Sequence, residues 1–211
     1  MDGVIVDSNP LHRIVWEEYN RRHGLETTEA MQRRMYGKRN DDIVRDFYGA
    51  SLTPAEIFAH GAAKEALYRE MLKPQIETAL VPGIRRFLQT HAAIPKAVAT
   101  NAEPANLNFV LDQTGLRPFF LVAIDGHQVE SPKPHPEVFL KATHSLGIAP
   151  QNCLVFEDSY TGVQAGLAAG MTVVGLSTTH PDLPGASLVI PNFDAPELTE
   201  FLIQYQVCAV P

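Results

Sequence analysis

The sequence predicts an α/β fold, a Rossmann-like parallel sheet with covered faces, into which an all-helical segment is inserted near the N-terminus. Short apolar runs alternate with helical segments from Val81 onward, a pattern typical of βαβ units. Between residues 9 and 79 the apolar spacing is helical, and no strand pattern appears. We therefore predict an α/β core of residues 1–8 and 80–211, interrupted by a helical domain of residues 9–79.

Composition and charge exclude several classes of protein. Of the 211 residues, 45% are hydrophobic and 19% are charged, as in globular proteins with their own core. Lys and Arg number 17 against 24 Asp and Glu, giving a net charge of −7. Since binding to a phosphate backbone needs clustered cations, we expect no nucleic-acid partner. Short apolar runs, the lack of a signal pattern and only two cysteines predict a cytoplasmic protein without membrane contact.

Four helices are predicted in the inserted segment. Apolar residues at three-and-four spacing indicate the first, over Leu11–Tyr19, and a second follows Asp41. A third begins at Thr53–Glu56, where Thr can cap the helix and Pro suits its first turn. A fourth is predicted over Ala62–Leu72.

The core elements follow from the apolar runs after Val81. The predicted strands cover residues 97–99, 120–124, 153–156, 173–176 and 188–190. The predicted helices cover residues 83–89, 105–113, 136–146 and 161–169. The first seven residues are interpreted as a strand end that passes into a turn. Ligands bind such sheets at the carboxyl ends of the strands, so the polar residues that follow the runs are candidates. They are Asp2, Thr100, Asn101, Asp125, Glu157 and Asp158, with Lys133 on a nearby loop.

Glu157 and Asp158 are adjacent acids at the end of a strand of the buried type. Such a pair is costly unless it is solvated, paired or bound to a cation. Hard oxygen ligands at this place suit Mg²⁺, which commonly takes one or two carboxylates with waters and substrate phosphate. The alternatives are an exposed loop pair, or a cap for the next helix formed by Asp158 or Ser159.

Lys133 lies in a loop with three prolines, Ser131–Pro136, which holds the chain stiffly. A rigidly presented ammonium suits a phosphate or crowded carboxylates, and a surface lysine is the alternative. Thr100 ends an apolar strand, where its hydroxyl can hold a phosphate oxygen or serve a turn. Asp2 suits a general acid/base, or a solvated acid at a mobile terminus.

The order of these motifs resembles that of the haloacid dehalogenase superfamily, and within it the β-phosphoglucomutase-like branch with a helical cap. The segments that carry the likeness are Asp2–Ser8, Pro82-Gly83, Thr100, Lys133-Pro134, Phe156–Ser159, Gly162-Val163 and Ala168–Met171. The likeness covers nearly the whole chain. It implies a Rossmann-like sheet with a mobile cap, and Mg²⁺-dependent transfer of a phosphoryl group from a phosphomonoester to an aspartate and then onward.

The resemblance also implies roles for individual core residues. Asp2 matches the acid/base aspartate, whose backbone carbonyl also ligates Mg²⁺. Thr100 and Lys133 match the pair that holds the phosphate, with Asn101 beside them. Asp158 matches the direct metal ligand, and Glu157 matches an acid that reaches the metal through water.

The chain departs from the family in its first motif, Asp-x-Asp-Gly. Asp2 is the second aspartate and Met1 the middle residue, so the position of the nucleophile precedes residue 1. The first core strand would precede it too, which leaves the strands ending at Ala99 and Phe156 without a shared neighbour. We expect that strand to be missing here, and an active form to begin further upstream. A non-catalytic phosphate-binding remnant is the alternative.

Two positions bear on the choice between a phosphatase and a mutase. In the mutase, polar side chains two and four residues after the second-motif hydroxyl hold the distal phosphate of a bisphosphate. Ala102 and Pro104 stand there, and neither can make those bonds. We therefore predict a phosphatase for a small phosphorylated metabolite such as a sugar phosphate, with a β-phosphoglucomutase-type phosphotransferase as the alternative.

The predicted cap carries the remaining candidates. His12 matches a cap-side histidine that assists the acid/base, while the alternative is a partly exposed histidine beside a core tryptophan, Trp16. Four polar cap residues are candidates for substrate binding, with a solvated surface as the alternative: Lys38, Arg39, Asn40 and Lys64. We expect a monomer.

Overall fold

A computed structural model describes residues 1–35, 40–49 and 51–205. Two of the predicted substrate-binding residues, Lys38 and Arg39, lie outside these ranges. Within them, no helix is long and apolar enough to cross a membrane.

The chain divides into two compact units. The first, here called the core unit, comprises Met1–Asp7 and Ile76–Pro211, and the second, the helical unit, comprises Ser8–Gln75. The described part of the helical unit has four α-helices: α1 (Asn9–Arg22), α2 (Glu29–Met35), α3 (Asn40–Tyr48) and α4 (Pro54–Leu72). Both α1 and α3 pack against α4.

The long helix α4 shows one success and one error of the sequence prediction. Thr53 and Glu56 form a capping box at its start, in which each side chain accepts a hydrogen bond from the other residue's backbone N–H. The separate helix predicted over Ala62–Leu72 is wrong, because α4 continues from Pro54 without a break. Gly61 lowers helix propensity there, but it lies buried, and its packing against a neighbouring helix outweighs that cost.

The core unit has alternating strands and helices, as predicted. Its strands are β1 (Ala97–Ala99), β2 (Val122–Ile124), β3 (Leu154–Glu157), β4 (Thr172–Leu176) and β5 (Leu188–Ile190). Its α-helices are α5 (Ile84–Thr90), α6 (Pro104–Gln113), α7 (Glu137–Leu146), α8 (Tyr160–Ala168) and α9 (Pro196–Gln204). Every pair of these strands is parallel, so the predicted α/β class is confirmed.

The strands form two sheets rather than one. Strand β1 pairs with β2, and a separate sheet has the order β3-β4-β5. In the described residues, no strand joins β1 to β3. Among the described residues, the strands that end at Ala99 and Glu157 therefore have no shared neighbour, and β3 ends one residue later than predicted.

The first seven residues form a turn that is fastened to the chain around residue 80. Met1 O accepts a hydrogen bond from Ile5 N–H at 2.7 Å, and Gly3 N–H donates to Val6 O at 2.7 Å. Val6 also forms an isolated antiparallel bridge with Leu80. The strand end predicted here is thus limited to single bridges on either side of a tight turn.

An apolar core of this unit lies between its two sheets and the helices α7 and α8: α7 packs against β1 and β2, and α8 packs against β3 and β4. Val138, Val163 and Val173 are central to it, and all three are buried. Burial of such a side chain stabilises the fold by about 1.5–3 kcal/mol. This packing fixes β3 and the start of α8, which carry the acids of the site.

Candidate active site

Lys133 links the ends of the two sheets. Its Nζ donates to the carbonyl oxygen of Ala99, the last residue of β1, at 3.2 Å. The same ammonium forms an ion pair with Glu157, the last residue of β3. Lys133 and Glu157, which were predicted from separate motifs, are in contact in the structure.

The loop that presents Lys133 is held by the first turn of the following helix. Glu137 accepts hydrogen bonds from the backbone N–H groups of Glu130 and Ser131 at 3.0 and 2.9 Å. Lys141 forms an ion pair with the same carboxylate at 2.8 Å. Hydrogen bonds from Lys141 and from these amides lower the pKa of Glu137 to about 2. An ionised Glu137 therefore holds the start of the proline-rich loop.

Thr100 and Asn101 lie directly after β1, beside this lysine. Thr100 is buried, and its Oγ1 accepts a hydrogen bond from Ala102 N–H at 3.1 Å. Asn101 Oδ1 accepts a hydrogen bond from the backbone N–H of Lys133 at 3.3 Å. Both predicted phosphate-binding residues therefore belong to the same local cluster as Lys133, and Asn101 helps to hold the loop.

The carboxylate of Glu157 is surrounded by donors from the protein itself. Its Oε2 accepts hydrogen bonds from Asp158 N–H at 3.0 Å and from the Ser159 hydroxyl at 3.1 Å. Burial raises its pKa, but the charges of Lys133 and of the N-terminal ammonium, with hydrogen bonds from Lys133 and Ser159, outweigh that effect, so the pKa is lowered. A Cβ on Gly162 would come within 2.0 Å of this carboxylate, so a glycine is needed there.

Asp158 is the second buried acid, and its surroundings differ from those of Glu157. Burial and the negative charge of Glu157 raise the pKa of Asp158 to about 6, despite a hydrogen bond from Thr179. Its carboxylate also packs closely against Gly3, where a Cβ would lie 1.9 Å from Oδ2. The site therefore contains a buried carboxylate whose charge is disfavoured without a cation.

Asp2 lies next to this acid in the N-terminal turn. Its neighbour Gly3 touches the side chain of Asp158, and the charge of Asp2 contributes to the raised pKa of Asp158. Asp2 is partly exposed, whereas Met1 and Gly3 on either side are buried. The structure thus places the predicted acid/base residue beside the predicted metal ligand.

The donor set at these strand ends fits a magnesium ion that is completed by substrate and water. Mg²⁺ is usually bound by one or two carboxylates with waters and phosphate oxygens. Asp158 offers such a carboxylate, and a divalent cation would relieve its repulsion from Glu157. In the described ranges, no group of three or more His, Cys, Asp or Glu side chains is arranged to hold a metal ion. A full set of side-chain ligands is therefore not formed by these residues.

The helical unit contains a buried polar cluster of its own. Lys64 is 2% exposed, and its ammonium donates to His12 Nδ1 at 2.9 Å and to Glu65 Oε1 at 2.8 Å. Asn40 Nδ2 donates to the same Glu65 oxygen at 2.6 Å. A solvated surface, the alternative for Lys64, does not fit this burial. Two of the predicted cap residues, Asn40 and Lys64, therefore bond to one acid, Glu65, that was not predicted, and His12 joins the cluster through Lys64.

The hydrogen bond from Lys64 bears on the tautomer of the histidine in this cluster. Burial raises the pKa of Glu65, but the charge of Lys64 and the hydrogen bonds from Asn40 and Lys64 outweigh that effect and leave the pKa lowered. Because an ammonium group only donates, His12 Nδ1 must accept, and the ring proton then lies on Nε2. The ring is stacked on Tyr68, with centroids 4.1 Å apart.

The turn that follows β4 also contributes to the site and was not predicted from the sequence. Thr178 Oγ1 donates to the carbonyl oxygen of Gly3 at 2.6 Å, and Thr179 donates to Asp158. The rule that selected the acids after β3 applies equally to polar residues after the apolar run of β4. Ser159 was considered only as a cap, but it also donates to Glu157.

A family comparison decides what kind of protein carries this site. Residues 1–170 match the family model for haloacid dehalogenase-like hydrolases. The chain belongs to the haloacid dehalogenase-like hydrolases. The resemblance predicted from the motifs is therefore confirmed. The prediction that this chain is a hydrolase is confirmed as well.

Two relatives of this haloacid dehalogenase-like hydrolase come from Escherichia coli. Fructose-1-phosphate phosphatase YqaB is 32% identical over 176 residues, which cover 82% of this chain and 92% of that protein. Hexitol phosphatase A is 32% identical over 204 residues, which cover 95% of this chain and 92% of that protein.

Solved structures share the fold of this hydrolase. A family IA, variant 3 hydrolase from Entamoeba histolytica has a TM-score of 0.83 at 25% identity, with 97% of this chain and 96% of that chain covered. A β-phosphoglucomutase from Clostridium difficile has a TM-score of 0.80 at 23% identity, with 98% and 94% covered. The predicted β-phosphoglucomutase-like fold is confirmed.

Proposed function

We propose that this hydrolase is a Mg²⁺-dependent phosphatase that releases inorganic phosphate from a small phosphorylated metabolite such as a sugar phosphate. The observation that carries the proposal is Lys133, whose ammonium joins the carboxyl ends of β1 and β3 through Ala99 and Glu157. Ligands bind α/β sheets at this edge. The two E. coli relatives, named for fructose 1-phosphate and hexitol phosphates, support a phosphorylated sugar or sugar alcohol as the substrate.

The proposed reaction has two steps and uses Asp2 in both. An aspartate at the position directly before Met1 attacks phosphorus, while Asp2 donates its proton to the leaving ester oxygen. Asp2 then takes a proton from water, whose oxygen attacks phosphorus and breaks the bond to the aspartate. Inorganic phosphate leaves, the first aspartate is regenerated, and Asp2 is protonated again.

Lys133 and Thr100 are proposed to hold the phosphoryl group during both steps. The ammonium of Lys133 is fixed by Glu157 and by the loop, so little side-chain freedom is lost when an anion binds. Thr100 Oγ1 already accepts a hydrogen bond from the protein, which leaves its own hydrogen for a phosphate oxygen. Asn101 completes this group next to the lysine.

Asp158 and the backbone carbonyl of Asp2 are proposed to hold Mg²⁺, with Glu157 contributing through water. When it is bound, Mg²⁺ neutralises negative charge on the phosphoryl group. The side-chain ligand that the chain contributes to this ion is the buried carboxylate of Asp158. Its raised pKa reflects surroundings in which a nearby cation is favourable. Ser159 and Lys133 keep Glu157 ionised next to it.

We further propose that the helical unit is the cap domain of this family and selects the substrate. His12, with its proton on Nε2, is suited to donate a hydrogen bond, and Lys64 and Glu65 hold it in that state. Asn40 then has a positioning role through Glu65, and Lys38 and Arg39 remain candidate ligands for an anionic substrate.

Phosphate release from a panel of phosphomonoesters tests the proposal. The form assayed carries an apolar strand ending in aspartate directly before Met1, and the panel includes fructose 1-phosphate and a hexitol phosphate. We expect release that requires Mg²⁺ and falls at least a hundredfold in Asp2→Asn. Glu26→Gln, a change at an exposed acid of the helical unit, is the control. Transfer of phosphate between sugar phosphates without release would instead favour the phosphotransferase.

A further inference from the structure

The turn that follows β4, Ser177–Thr179, holds two separate parts of the site. Thr178 Oγ1 donates to the carbonyl oxygen of Gly3 at 2.6 Å, which fixes the N-terminal turn that carries Asp2. Thr179 Oγ1 donates to Oδ2 of Asp158. Two consecutive hydroxyls therefore reach the acid/base segment and the metal-binding acid at the same time.

Gly3 confines the same carboxylate from another side. Its φ is +66°, and a Cβ at this position would lie 1.9 Å from Asp158 Oδ2. That oxygen therefore lies between the backbone of Gly3 and the hydroxyl of Thr179. Because Gly3 is itself bonded to Thr178, the three segments form a closed set of contacts: Gly3 touches Asp158, Asp158 bonds Thr179, and Thr178 bonds Gly3.

We propose that Thr178 and Thr179 are positioning residues of this site. Thr179 sets the direction of the Asp158 carboxylate, and so the strength with which that acid binds a divalent cation. Thr178 holds the turn of Asp2 against the same carboxylate. The inference rests on the proposed function, since the cation is the one that the proposed reaction requires.

Groups that orient a metal-binding carboxylate without touching the metal typically change metal affinity by 10–100-fold when they are removed. Asp158 is buried, so the hydrogen bond from Thr179 cannot simply be replaced by one from bulk water. If the two hydroxyls only stabilised the turn, their removal would lower the free energy of unfolding without a specific effect on metal affinity.

Ser177 offers a matched control in the same turn. Its side chain donates to Ile190 O at 3.4 Å, and its backbone N–H bonds the same oxygen at 2.9 Å. Ser177→Ala therefore removes a hydroxyl from this turn while its backbone bond, and the two threonine contacts with the site, stay in place.

Calorimetric titration of the full chain with Mg²⁺ tests Thr179. We expect Thr179→Val to weaken binding at least tenfold, Thr179→Ser to stay within threefold of wild type, and Ser177→Ala to leave affinity unchanged. Equal affinities in Thr179→Val and Ser177→Ala would overturn the proposal, as would equal losses in Thr179→Ser and Thr179→Val. If Thr179→Val does not fold, Thr179→Ala removes the same hydroxyl with a smaller change of shape.

Two metal-free measurements keep the inference separate from the proposed function. In crystals of Thr179→Val, we expect the Asp158 carboxylate to turn away from its wild-type direction, and an unchanged direction would overturn the role of Thr179. In Thr178→Val, the Gly3 amide should exchange hydrogen at least tenfold faster than in Ser177→Ala, and equal rates would overturn the role of Thr178. If the wild type binds no Mg²⁺ but both measurements succeed, the cofactor assignment fails and the positioning contacts stand.

Discussion

The side chains of Lys133 and Glu157 form an ion pair in which both partners are more than nine-tenths buried, with exposures of 8% and 6%. The pair joins the end of β3 to a loop that also reaches the end of β1. A buried pair of this kind is costly to break, because removal of one partner leaves the other charged and without compensation.

Replacement of Lys133 by methionine should therefore lower the free energy of unfolding by about 3 kcal/mol. Lys141→Met is the matched control, since Lys141 is 45% exposed and pairs with Glu137 at the surface. That change should cost about 0.2–1 kcal/mol. Urea denaturation of both variants measures the difference, and equal losses would contradict the importance assigned to burial.

Gly3 should tolerate substitution much less well than a glycine in open space. Gly3→Ala places a Cβ against Asp158 and forces alanine to a φ of +66°. Gly170 has a φ of +77°, but no atom lies within 4 Å of the added Cβ. Gly170→Ala therefore measures only the cost of holding alanine in a left-handed backbone conformation, about 1–2 kcal/mol. We expect Gly3→Ala to lose at least about twice as much stability and also Mg²⁺ affinity. Retained Mg²⁺ affinity in Gly3→Ala would contradict the close approach described here.

We expect the contribution of Glu137 to the stability of the folded state to depend on pH. Hydrogen bonds from Lys141, Ser131 and Glu130 lower its pKa from 4.5 to about 2. A depressed carboxyl pKa stabilises the folded state above the unfolded pKa, and that contribution is lost as pH falls through the folded pKa. The difference in Tm between wild type and Glu137→Gln should thus be constant above pH 5 and shrink from about pH 4.5 towards 2.

Glu130→Gln is the control for that titration. It removes a charge from the same loop but leaves the amide hydrogen bonds to Glu137 in place. A Tm difference for Glu137→Gln that stays constant down to pH 2, or one that Glu130→Gln reproduces, would argue against Glu137 as the anchor of the loop.

The cluster in the helical unit should show strong coupling between Lys64 and Glu65, which are 2% and 5% exposed. Lys64→Met leaves a buried acid, and Glu65→Leu leaves a buried ammonium next to His12. Each single change should cost about 3 kcal/mol, while the double variant should recover at least about 1 kcal/mol relative to their sum. Additive losses in denaturant unfolding would mean that the two charges do not stabilise each other.

The sequence predicted the elements of the core unit well, because apolar runs in buried parallel strands leave little ambiguity. Strands β1 and β5 have the predicted bounds. Helices α2 and α9 were not predicted. The division of α4 was wrong because a glycine inside a helix was given more weight than tertiary packing.

The candidate site was predicted in its composition but not in its contacts. Motif order identified Lys133, Glu157 and Asp158, whereas the contact between Gly3 and Asp158 depends on the fold of a turn that has no periodic pattern. Thr178 and Thr179 were missed because two threonines after a strand are common in turns. Only the positions of Gly3 and Asp158 in space give those hydroxyls a function.

The proposed hydrolysis of a phosphomonoester depends on an aspartate directly before Met1. The most direct test compares two forms of the chain that carry the same apolar N-terminal strand, one ending in aspartate and the other in asparagine. With Mg²⁺ and a sugar phosphate, we expect phosphate release by the aspartate form and at least about a thousandfold less by the asparagine form, which lacks the nucleophile. Equal release by the two forms, or none by either on any sugar phosphate, would contradict it.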